Sequence, residues 1–521
     1  MKNVERQFTL RGFLLGFAGL CVITASSMNV ALRLGALPWP TVFVTVISMA
    51  VLGKCRNSSL KEINVTHTMM SSGAMVAGGL AFTLPAVWML NSGQEPDFFS
   101  AVTVTVCGSL LGTLFSAMFR KTLIEDRALS FPIGKAAYET LVTGIKKSRD
   151  SVILVSSMIF SAIFTAIRDF TGLIPASIVL YGGGTSVGSV SLWVSPMALA
   201  IGAMIGKLSA FLWLGGAVFS NFVLAPLGMS PVFRQNLGLG VMMGTGAGVL
   251  VKLVAELFAG LKKADGKNKI RVKRSTVLPV LFVVLMASGV LSIGTPLTFA
   301  EAAVTCVLCC AATLLSGILT GQSGVNPMEI FGILVMLAVG TLFKSAVGTM
   351  IMISSVTAVA CGLCGDVTND LKSGSLLGTD SRQQILAEGI GGVIGAFLSV
   401  AVLFAIKKVF GEFGTDVLPA PQAAAVASMA GGMTDARAIC IGLAAGIIFY
   451  LCKVPAATLG LGIYLSMNIS FTVGIGAVIA LFCSMRISER KIVTVSSGLL
   501  GGEGICGVLI AIISMFAHSI C

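Results

Sequence analysis

The chain has 521 residues, of which 55% are hydrophobic and only 11% are charged, and its mean hydropathy is +0.96. A soluble domain of this size cannot bury so much apolar surface, so the lipid bilayer must act as its solvent. The net charge of +13 does not indicate nucleic-acid binding, because the cations lie in short segments between apolar runs.

Apolar segments long enough to cross a bilayer follow one another along the whole chain. In chain order they are 12–30, 36–53, 67–90, 98–119, 151–172, 195–215, 236–260, 276–294, 298–318, 329–343, 345–364, 385–406, 436–452, 470–485 and 494–516. The 61 glycines are typical of closely packed membrane helices, whereas the short alternating strands of a barrel are not seen. The predicted fold class is an all-α, polytopic integral membrane bundle, with 1–521 as a single transporter domain.

Between these spans lie apolar pieces that contain Pro or several Gly, at 129–142, 174–193, 218–233, 320–328, 418–433 and 454–467. Broken backbone at membrane depth is tolerated where protein or a water-filled cavity covers it. We therefore expect about fourteen to sixteen transmembrane helices, several of them re-entrant or broken.

The distribution of Lys and Arg predicts the orientation in the membrane. The densest basic block occupies 261–275, and the ends 2–11 and 486–491 are also basic. By the positive-inside rule these segments are cytoplasmic, whereas 91–99 contains no Lys or Arg and is expected outside. The expected location is the cell membrane, specifically a bacterial cytoplasmic (inner) membrane, with multiple passes.

Two ends of the chain carry similar short motifs. Ser27-Met28-Asn29 precedes a small-residue stretch at 71–79, and Ser466-Met467-Asn468 precedes another at 496–504. The pattern is typical of a transporter built from internal repeats, although chance matching in a composition rich in Ser and Gly is the alternative.

Glu503 is a carboxylate in the glycine-dense start of the last apolar segment. A charge at that depth costs several kcal/mol unless it faces a cavity, a partner or a proton. We therefore predict a coupling or substrate site at Glu503, required for function. The alternative is a protonated carboxyl that hydrogen-bonds to a neighbouring helix and only holds the bundle together.

The segment 319–328 is polar and unfavourable to helix between two spans. Pro327 removes a backbone donor, and Gln322 and Asn326 offer amide groups. An unwound segment of this kind exposes groups that can bind a peptide or a carboxylate, so 320–328 is predicted to be non-helical and to border a substrate cavity. An ordinary interfacial loop is the alternative.

Two further segments carry candidate charges. The stretch 365–378 is predicted to be a mixed-charge loop in which Asp366, Asp370 and Lys372 gate a cytoplasmic pathway, unless it is a solvated loop that caps the next helix. A Pro-Gly break at 132–134 should start a short helix in which Lys135 and Glu139 share a face. An interfacial ion pair is the simpler interpretation there.

No metal or cofactor site is expected. The 13 cysteines lie mostly inside apolar runs, where cysteine acts as a small hydrophobe. The C-x-x-C spacing of Cys361 and Cys364 has no second pair nearby, and His67 and His518 are the two histidines of the chain.

Several strings, in this order, resemble the oligopeptide transporter (OPT) family, which includes the yellow-stripe-like metal-chelate carriers. The strings are FPIGKAAYE (131–139), LTGQSGVNPM (319–328), GDVTNDLKSGSLLG (365–378), LPAPQ (418–422), GLGIYLSM (460–467) and SSGLLGGEG (496–504). The resemblance covers nearly the whole chain. It implies about sixteen helices, proton-coupled import, and substrates from small peptides and glutathione-like molecules to metal–amino-acid chelates.

One position departs from the resemblance. Where the family commonly shows Ala-Gly-Glu near the third span, this chain has Ser72-Gly73-Ala74. The carboxylate of the relatives is absent there, which leaves Glu503 as the clearest embedded carboxylate of that type.

The sequence therefore predicts a non-enzymatic secondary transporter, since it contains no Walker A string to couple ATP hydrolysis. The favoured function is a proton-coupled symporter that imports small oligopeptides or peptide-like compounds. Glu503 is the main substrate-binding or coupling residue, Tyr464 and Asn326 are secondary contacts, and Glu139 or Asp366 are the next proton sites. Import of metal chelates of the siderophore or nicotianamine type is the alternative. A channel and an intramembrane aspartyl protease built on Asp366 are more remote. Expected partners are the substrate, protons, the lipid bilayer and a second copy in a homodimer.

Overall fold

The structure is a computed structural model in which the chain divides into two units. Unit 1 comprises 1–148, 266–431 and 514–521, and unit 2 comprises 149–265 and 432–513. The described residues are 6–506 without 36, 38–39, 56, 91–95, 127–128, 130, 145–148, 183–188, 206, 263–273, 324–325, 416, 432–434, 490, 497, 500–501 and 504–505. The predicted basic loop 261–275 falls almost entirely outside them.

The described chain is overwhelmingly helical. In chain order the helices are α1 (Leu10–Leu34), α2 (Thr41–Leu52), α3 (Leu60–Ala81), α4 (Ala86–Met89), α5 (Phe98–Arg120), α6 (Pro132–Gly144), α7 (Arg149–Ala166), α8 (Pro196–Met204), α9 (Lys207–Phe219), α10 (Pro231–Lys262), α11 (Arg274–Gly294), α12 (Phe299–Ser323), α13 (Met328–Phe343), α14 (Val347–Leu377), α15 (Ser381–Phe410), α16 (Pro421–Ala430), α17 (Ala436–Leu451), α18 (Ala456–Tyr464) and α19 (Met467–Ser484). Short π-helical turns follow α5, α7 and α9.

Among these residues, 8 helices are long and apolar enough to cross a membrane, and shorter apolar helices accompany them. The predicted all-α polytopic bundle is therefore confirmed. The number of crossings and the treatment of 1–521 as one functional domain stay predictions.

Two helices form the centre of unit 1. Every residue of α3 from Glu62 to Ala81 is buried, and α14 is buried over most of its 31 residues. Glycines allow this close packing: a Cβ on Gly79 would lie 2.7 Å from the Cα of Val359, and one on Gly112 would lie 2.6 Å from the carbonyl oxygen of Ala360. Most side chains of α3 and α14 therefore lie in the interior of unit 1.

The predicted loop at 365–378 is wrong. These residues continue α14, which ends at Leu377 with Gly378 in the left-handed conformation (φ 74°). Asp366, Asn369 and Asp370 are fully buried. Mixed charge suggested solvent exposure, but the neighbouring helices supply polar partners, so the helix continues through the charged stretch.

The predicted break at 320–328 is shorter than expected. Residues 320–323 are helical as the end of α12, and the described residues Asn326 and Pro327 are not helical. Pro327 precedes α13, where its missing N–H is harmless at a helix start. The break therefore lies between two helix ends.

Unit 2 is held together by glycine contacts. Gly240 and Gly244 of α10 face Gly442 and Gly446 of α17, and a Cβ built on any of them would lie 2.8–2.9 Å from the Cα of its counterpart. This is the small-xxx-small pattern that brings membrane helices into van der Waals contact. Side chains larger than hydrogen would separate the two backbones.

The apolar piece at 174–193 contains a β-hairpin that the sequence did not predict. Strand β1 (Ser177–Tyr181) pairs antiparallel with β2 (Val190–Trp193), with Ser177 opposite Trp193. The hydroxyl of Thr472 on α19 both donates to the carbonyl and accepts from the amide N–H of Trp193, each at 2.9 Å. A helix thus supplies the hydrogen bonds that anchor the second strand.

The two matched motifs at the chain ends occupy different structural positions. Asn29 is buried inside α1, whereas Ser466 precedes α19 and Asn468 lies in its first turn. The predicted internal repeat stays a prediction.

Candidate functional site

Unit 1 contains a fully buried polar cluster between α3, α14 and α15. Its members recur at helical spacing, so each helix presents them on one face. They are Asn64, His67, Thr68 and Ser71 of α3, Asp366, Asp370 and Ser373 of α14, and Gln384 and Glu388 of α15, with Thr41 of α2 at the edge. We call this set the acidic cluster.

Three carboxylates form its centre. Asp366, Asp370 and Glu388 each offer an oxygen within 4.8 Å of the others. Ser71 donates to Oδ2 of Asp370 at 3.0 Å, and Thr41 donates to Oδ1 of Asp366 at 3.3 Å. Carboxylate oxygens this close can share a proton or a cation between them.

Hydrogen bonds around the carboxylates fix the three helices relative to one another. Asn64 accepts from Ser373 at 3.0 Å and donates to Thr379 at 3.2 Å. Gln384 donates to the backbone oxygen of Asp370 at 2.9 Å, and a Cβ on Gly374 would lie 1.9 Å from Oε1 of Gln384. The glycine therefore permits the close approach of α15 to α14.

Several polar atoms of the acidic cluster lack a hydrogen-bond partner among the described residues. They are both ring nitrogens of His67, Oδ2 of Asp366, Oδ1 of Asp370, Oε1 of Gln384 and both carboxylate oxygens of Glu388. Buried polar groups are nearly always satisfied, because each unsatisfied group costs about 1–3 kcal/mol. Such a concentration in one place indicates a site that binds protons or another ligand.

Sequence reasoning found part of this cluster. The sequence predicts Asp366 as a proton site and Asp370 as part of a gate, but it does not single out Glu388 or His67. Glu388 interrupts the apolar run 385–406, so the rule that singled out Glu503 applied to it equally. His67 is one of only two histidines, and its position next to Asp370 needed the fold.

The strings FPIGKAAYE, LTGQSGVNPM and GDVTNDLKSGSLLG meet in unit 1. The amide N–H of Phe131 donates to the carbonyl of Gly321 at 2.9 Å, and that of Gly134 donates to Oδ1 of Asn369 at 3.2 Å. As predicted, a helix begins at Pro132. The side chains of Glu139 and Gln322 lie outside the described residues, so their predicted roles stay predictions.

Asn326 ties the α12–α13 break to α14. Its Nδ2 donates to the carbonyl of Cys361 at 2.8 Å, and its Oδ1 accepts from Ser316 at 2.8 Å. Ser316 also bonds the same carbonyl at 2.8 Å. The polar break therefore lies against the helix that carries Asp366 and Asp370, and Asn326 has a structural role there. Its predicted contact with substrate stays a prediction.

In unit 2, several described residues donate hydrogen bonds to the carboxylate of Glu503. Its carboxylate accepts from Arg168 at 2.9 Å, from the hydroxyl of Ser195 at 3.0 Å and from the backbone N–H of Met197 at 2.8 Å. Met197 lies in the first turn of α8, where the helix dipole favours a negative charge. These partners hold an anion in place.

Arg168 has further partners of its own. It donates to both oxygens of Asp169, at 2.6 and 2.9 Å, and to the carbonyl of Val194 at 2.6 Å. The guanidinium group of Arg168 thus links the π-helical turn after α7, the start of α8 and Glu503. The predicted coupling role of Glu503 stays a prediction, as does the alternative of a protonated carboxyl that holds the bundle together. The ion pair with Arg168 connects neighbouring segments through a charged carboxylate instead. Tyr464, another predicted contact, ends α18 and packs against Gly238 of α10.

The departure from the Ala-Gly-Glu pattern also has a structural setting. Ala74 is fully buried in an apolar cluster with Ile23, Val44 and Met70. A carboxylate there would face hydrocarbon side chains, so this chain places its buried charges elsewhere in unit 1.

The family model described as "OPT oligopeptide transporter protein" matches residues 7–238 and 240–514. A Haemophilus influenzae protein named "Putative oligopeptide transporter" is 24% identical over 589 aligned residues, which cover 93% of this chain and 92% of the relative. The match extends through both units and through every element that builds the two polar sites.

Proposed function

Since the chain belongs to the OPT oligopeptide transporter family, we propose that it is a proton-coupled secondary importer of small oligopeptides in the bacterial cytoplasmic membrane. The name of the Haemophilus influenzae relative supports the substrate class. The acidic cluster is the single observation that carries the coupling, because ionisable groups buried in a membrane bundle mark ion and proton pathways.

The repulsion between the three carboxylates supports protons as the coupling ion. Three carboxylates lie within 4.8 Å of one another, and two unit charges at that distance repel by about 3–4 kcal/mol at an effective dielectric constant of 20. His67 is the basic side chain in ion-pair contact with them among the described residues, and it contacts Asp370. Bound protons neutralise the remaining carboxylates without any further ligand.

A transport cycle follows from this charge balance. While the acidic cluster is closed to water, protonated carboxyls are favoured over charged ones. Hydration from the cytoplasmic side stabilises the charged forms and releases the protons. The protonated and deprotonated forms of the acidic cluster differ in charge. This difference favours different arrangements of the helices that carry the cluster.

Asp366 is the first candidate among the residues named from the sequence, with Glu388 beside it. Glu503 is the second candidate, although Arg168 already balances its charge. In the alternative function, the same proton coupling would drive import of a metal chelate instead of a peptide. Assembly as a homodimer stays a prediction.

The test is uptake by purified protein in proteoliposomes. With an inward proton gradient, di- to pentapeptides should accumulate above equilibrium, and collapse of the pH gradient and membrane potential should abolish accumulation. Accumulation that depends on a sodium gradient at constant pH would contradict the coupling. Accumulation of an iron or nickel chelate, with no peptide transported, would contradict the substrate class.

A further inference from the structure

An apolar groove runs along the outer face of α15. It has a volume of about 710 Å³ and is lined by Leu110 of α5 and by α15 residues that include Arg382, Leu386, Gly389, Val393 and Ile394. The opposite face of α15 carries Gln384 and Glu388. The groove is thus separate from the acidic cluster.

The groove has a polar end and an apolar remainder. Arg382 lies in the first turn of α15 and is exposed, whereas the other lining residues carry no polar side chain. The amide N–H of Arg382 donates to Oδ1 of Asp380 at 3.0 Å, so the nearby carboxylate is engaged in capping the helix. Among the lining residues one cation, Arg382, therefore lies at one end of a hydrocarbon surface, and the helix-capping carboxylate of Asp380 lies beside it.

The length of the groove matches one leaflet of a bilayer. From Arg382 to Ile394 the helix rises about 18 Å, at 1.5 Å per residue. One leaflet contributes about 15 Å of a hydrocarbon core about 30 Å thick. A chain that lies along the groove would begin at the level of the headgroups and end near the bilayer centre.

The polar end of the groove lies beside the N-terminal segment of unit 1. Oε1 of Gln383 accepts from the backbone N–H of Gln7 at 2.8 Å, and the N–H of Asp380 donates to Oε1 of Gln7 at 2.9 Å. The start of α15 is therefore next to the N-terminal segment that includes Arg6 and that the positive-inside rule places in the cytoplasm. Anionic lipid headgroups attract basic residues at that surface.

We propose that this groove binds one anionic phospholipid of the cytoplasmic leaflet, with its phosphate on Arg382 and an acyl chain along Leu386, Gly389 and Val393. Gly389 forms part of the floor: a Cβ there would meet a single atom, Cγ2 of Thr113 at 3.7 Å, so nothing in the protein requires the glycine. The open floor leaves room for the chain.

Native mass spectrometry of the full chain in mild detergent, titrated with phosphatidylglycerol or phosphatidylethanolamine, tests the proposal. Wild type should retain one phosphatidylglycerol in preference to phosphatidylethanolamine, and Arg382→Gln should reduce that retention about fivefold. Gly389→Phe, which fills the groove, should reduce retention of both lipids. Arg486→Gln changes an exposed arginine of unit 2 and serves as the matched control with unchanged retention.

Equal retention of both lipids by wild type, or an equal effect of the Arg382 and Arg486 substitutions, would overturn the proposal. A disulfide between two copies through Leu386→Cys would assign the groove to a second copy of the chain and would overturn it as well. None of these readouts involves transport, so they are independent of proton coupling.

Discussion

Nε2 of His67 lies 3.4 Å from Oδ1 of Asp370, and both side chains are buried between α3 and α14. The distance is that of an ion pair, although neither atom has a hydrogen-bond partner among the described residues. His67 can balance one carboxylate of the acidic cluster. Asp366 and Glu388 have no such contact with a basic side chain among the described residues, and this is why we propose that bound protons balance their charge.

Asp366→Asn and Glu388→Gln should each abolish proton-driven accumulation of peptide while exchange across the membrane survives. Each change removes a group that binds a proton and replaces it with a neutral side chain of similar shape, so no buried charge is left without a partner. The melting temperature should stay the same or rise, which separates a loss of function from a loss of folding. Proteoliposome uptake and thermal unfolding in detergent are the two measurements.

Glu412→Gln is the matched control, because Glu412 is an exposed carboxylate of unit 1. It should leave both accumulation and stability unchanged. If Asp366→Asn and Glu388→Gln both accumulate peptide at the wild-type rate, the acidic cluster is not the coupling site.

Glu503→Gln should lower the free energy of unfolding by about 3 kcal/mol, because it breaks a buried ion pair with Arg168. Asp169 remains as a partner of Arg168 and limits the cost. Arg168→Gln should destabilise by a similar amount, and the double variant should lose less than the sum of the two. Chemical unfolding of the three variants measures the coupling energy.

The coupling role predicted for Glu503 from the sequence has a different signature. In that case Glu503→Gln folds, keeps wild-type stability and binds substrate, but fails to accumulate it in a pH gradient. Wild-type stability together with lost accumulation would therefore favour proton coupling at Glu503 over the structural role.

Gly244→Ala should destabilise the protein by about 1–3 kcal/mol, since the added Cβ would lie 2.2 Å from the backbone oxygen of Leu443 and force α10 and α17 apart. Gly215→Ala on α9 is the control: its Cβ would meet no atom within 4 Å, and alanine favours helix. Equal melting temperatures for the two variants would show that the glycine contact does not hold unit 2 together.

Asn326→Ala should lower the free energy of unfolding by about 1–2 kcal/mol, because Ser316 loses one of its two partners and the carbonyl of Cys361 loses one donor. Ser316→Ala removes the bonds from the Ser316 hydroxyl to Asn326 and to the carbonyl of Cys361, and it should lower the free energy of unfolding by a similar amount. A raised KM for peptide with unchanged stability would instead support the substrate contact predicted for Asn326 from the sequence.

The sequence determined the class of the protein. Long uncharged runs and many glycines indicate a helical membrane bundle, because only helices and closed barrels satisfy the backbone in a bilayer and the runs lack the short alternating strands of a barrel. Ordered strings such as FPIGKAAYE indicated the family, and the helix start at Pro132 followed from the fixed backbone angle of proline. These features depend on residues that are close together in the chain.

Only the tertiary structure decided which charges belong together. Asp366 is 22 positions from Glu388 in the printed sequence and far from His67, so their proximity depends on the packing of α3, α14 and α15. The same packing turned a predicted loop into a buried helix, and a separate contact gave Glu503 the cation Arg168. Local sequence reports whether a segment is apolar, whereas the charge balance of a buried group depends on neighbours that are distant in the chain.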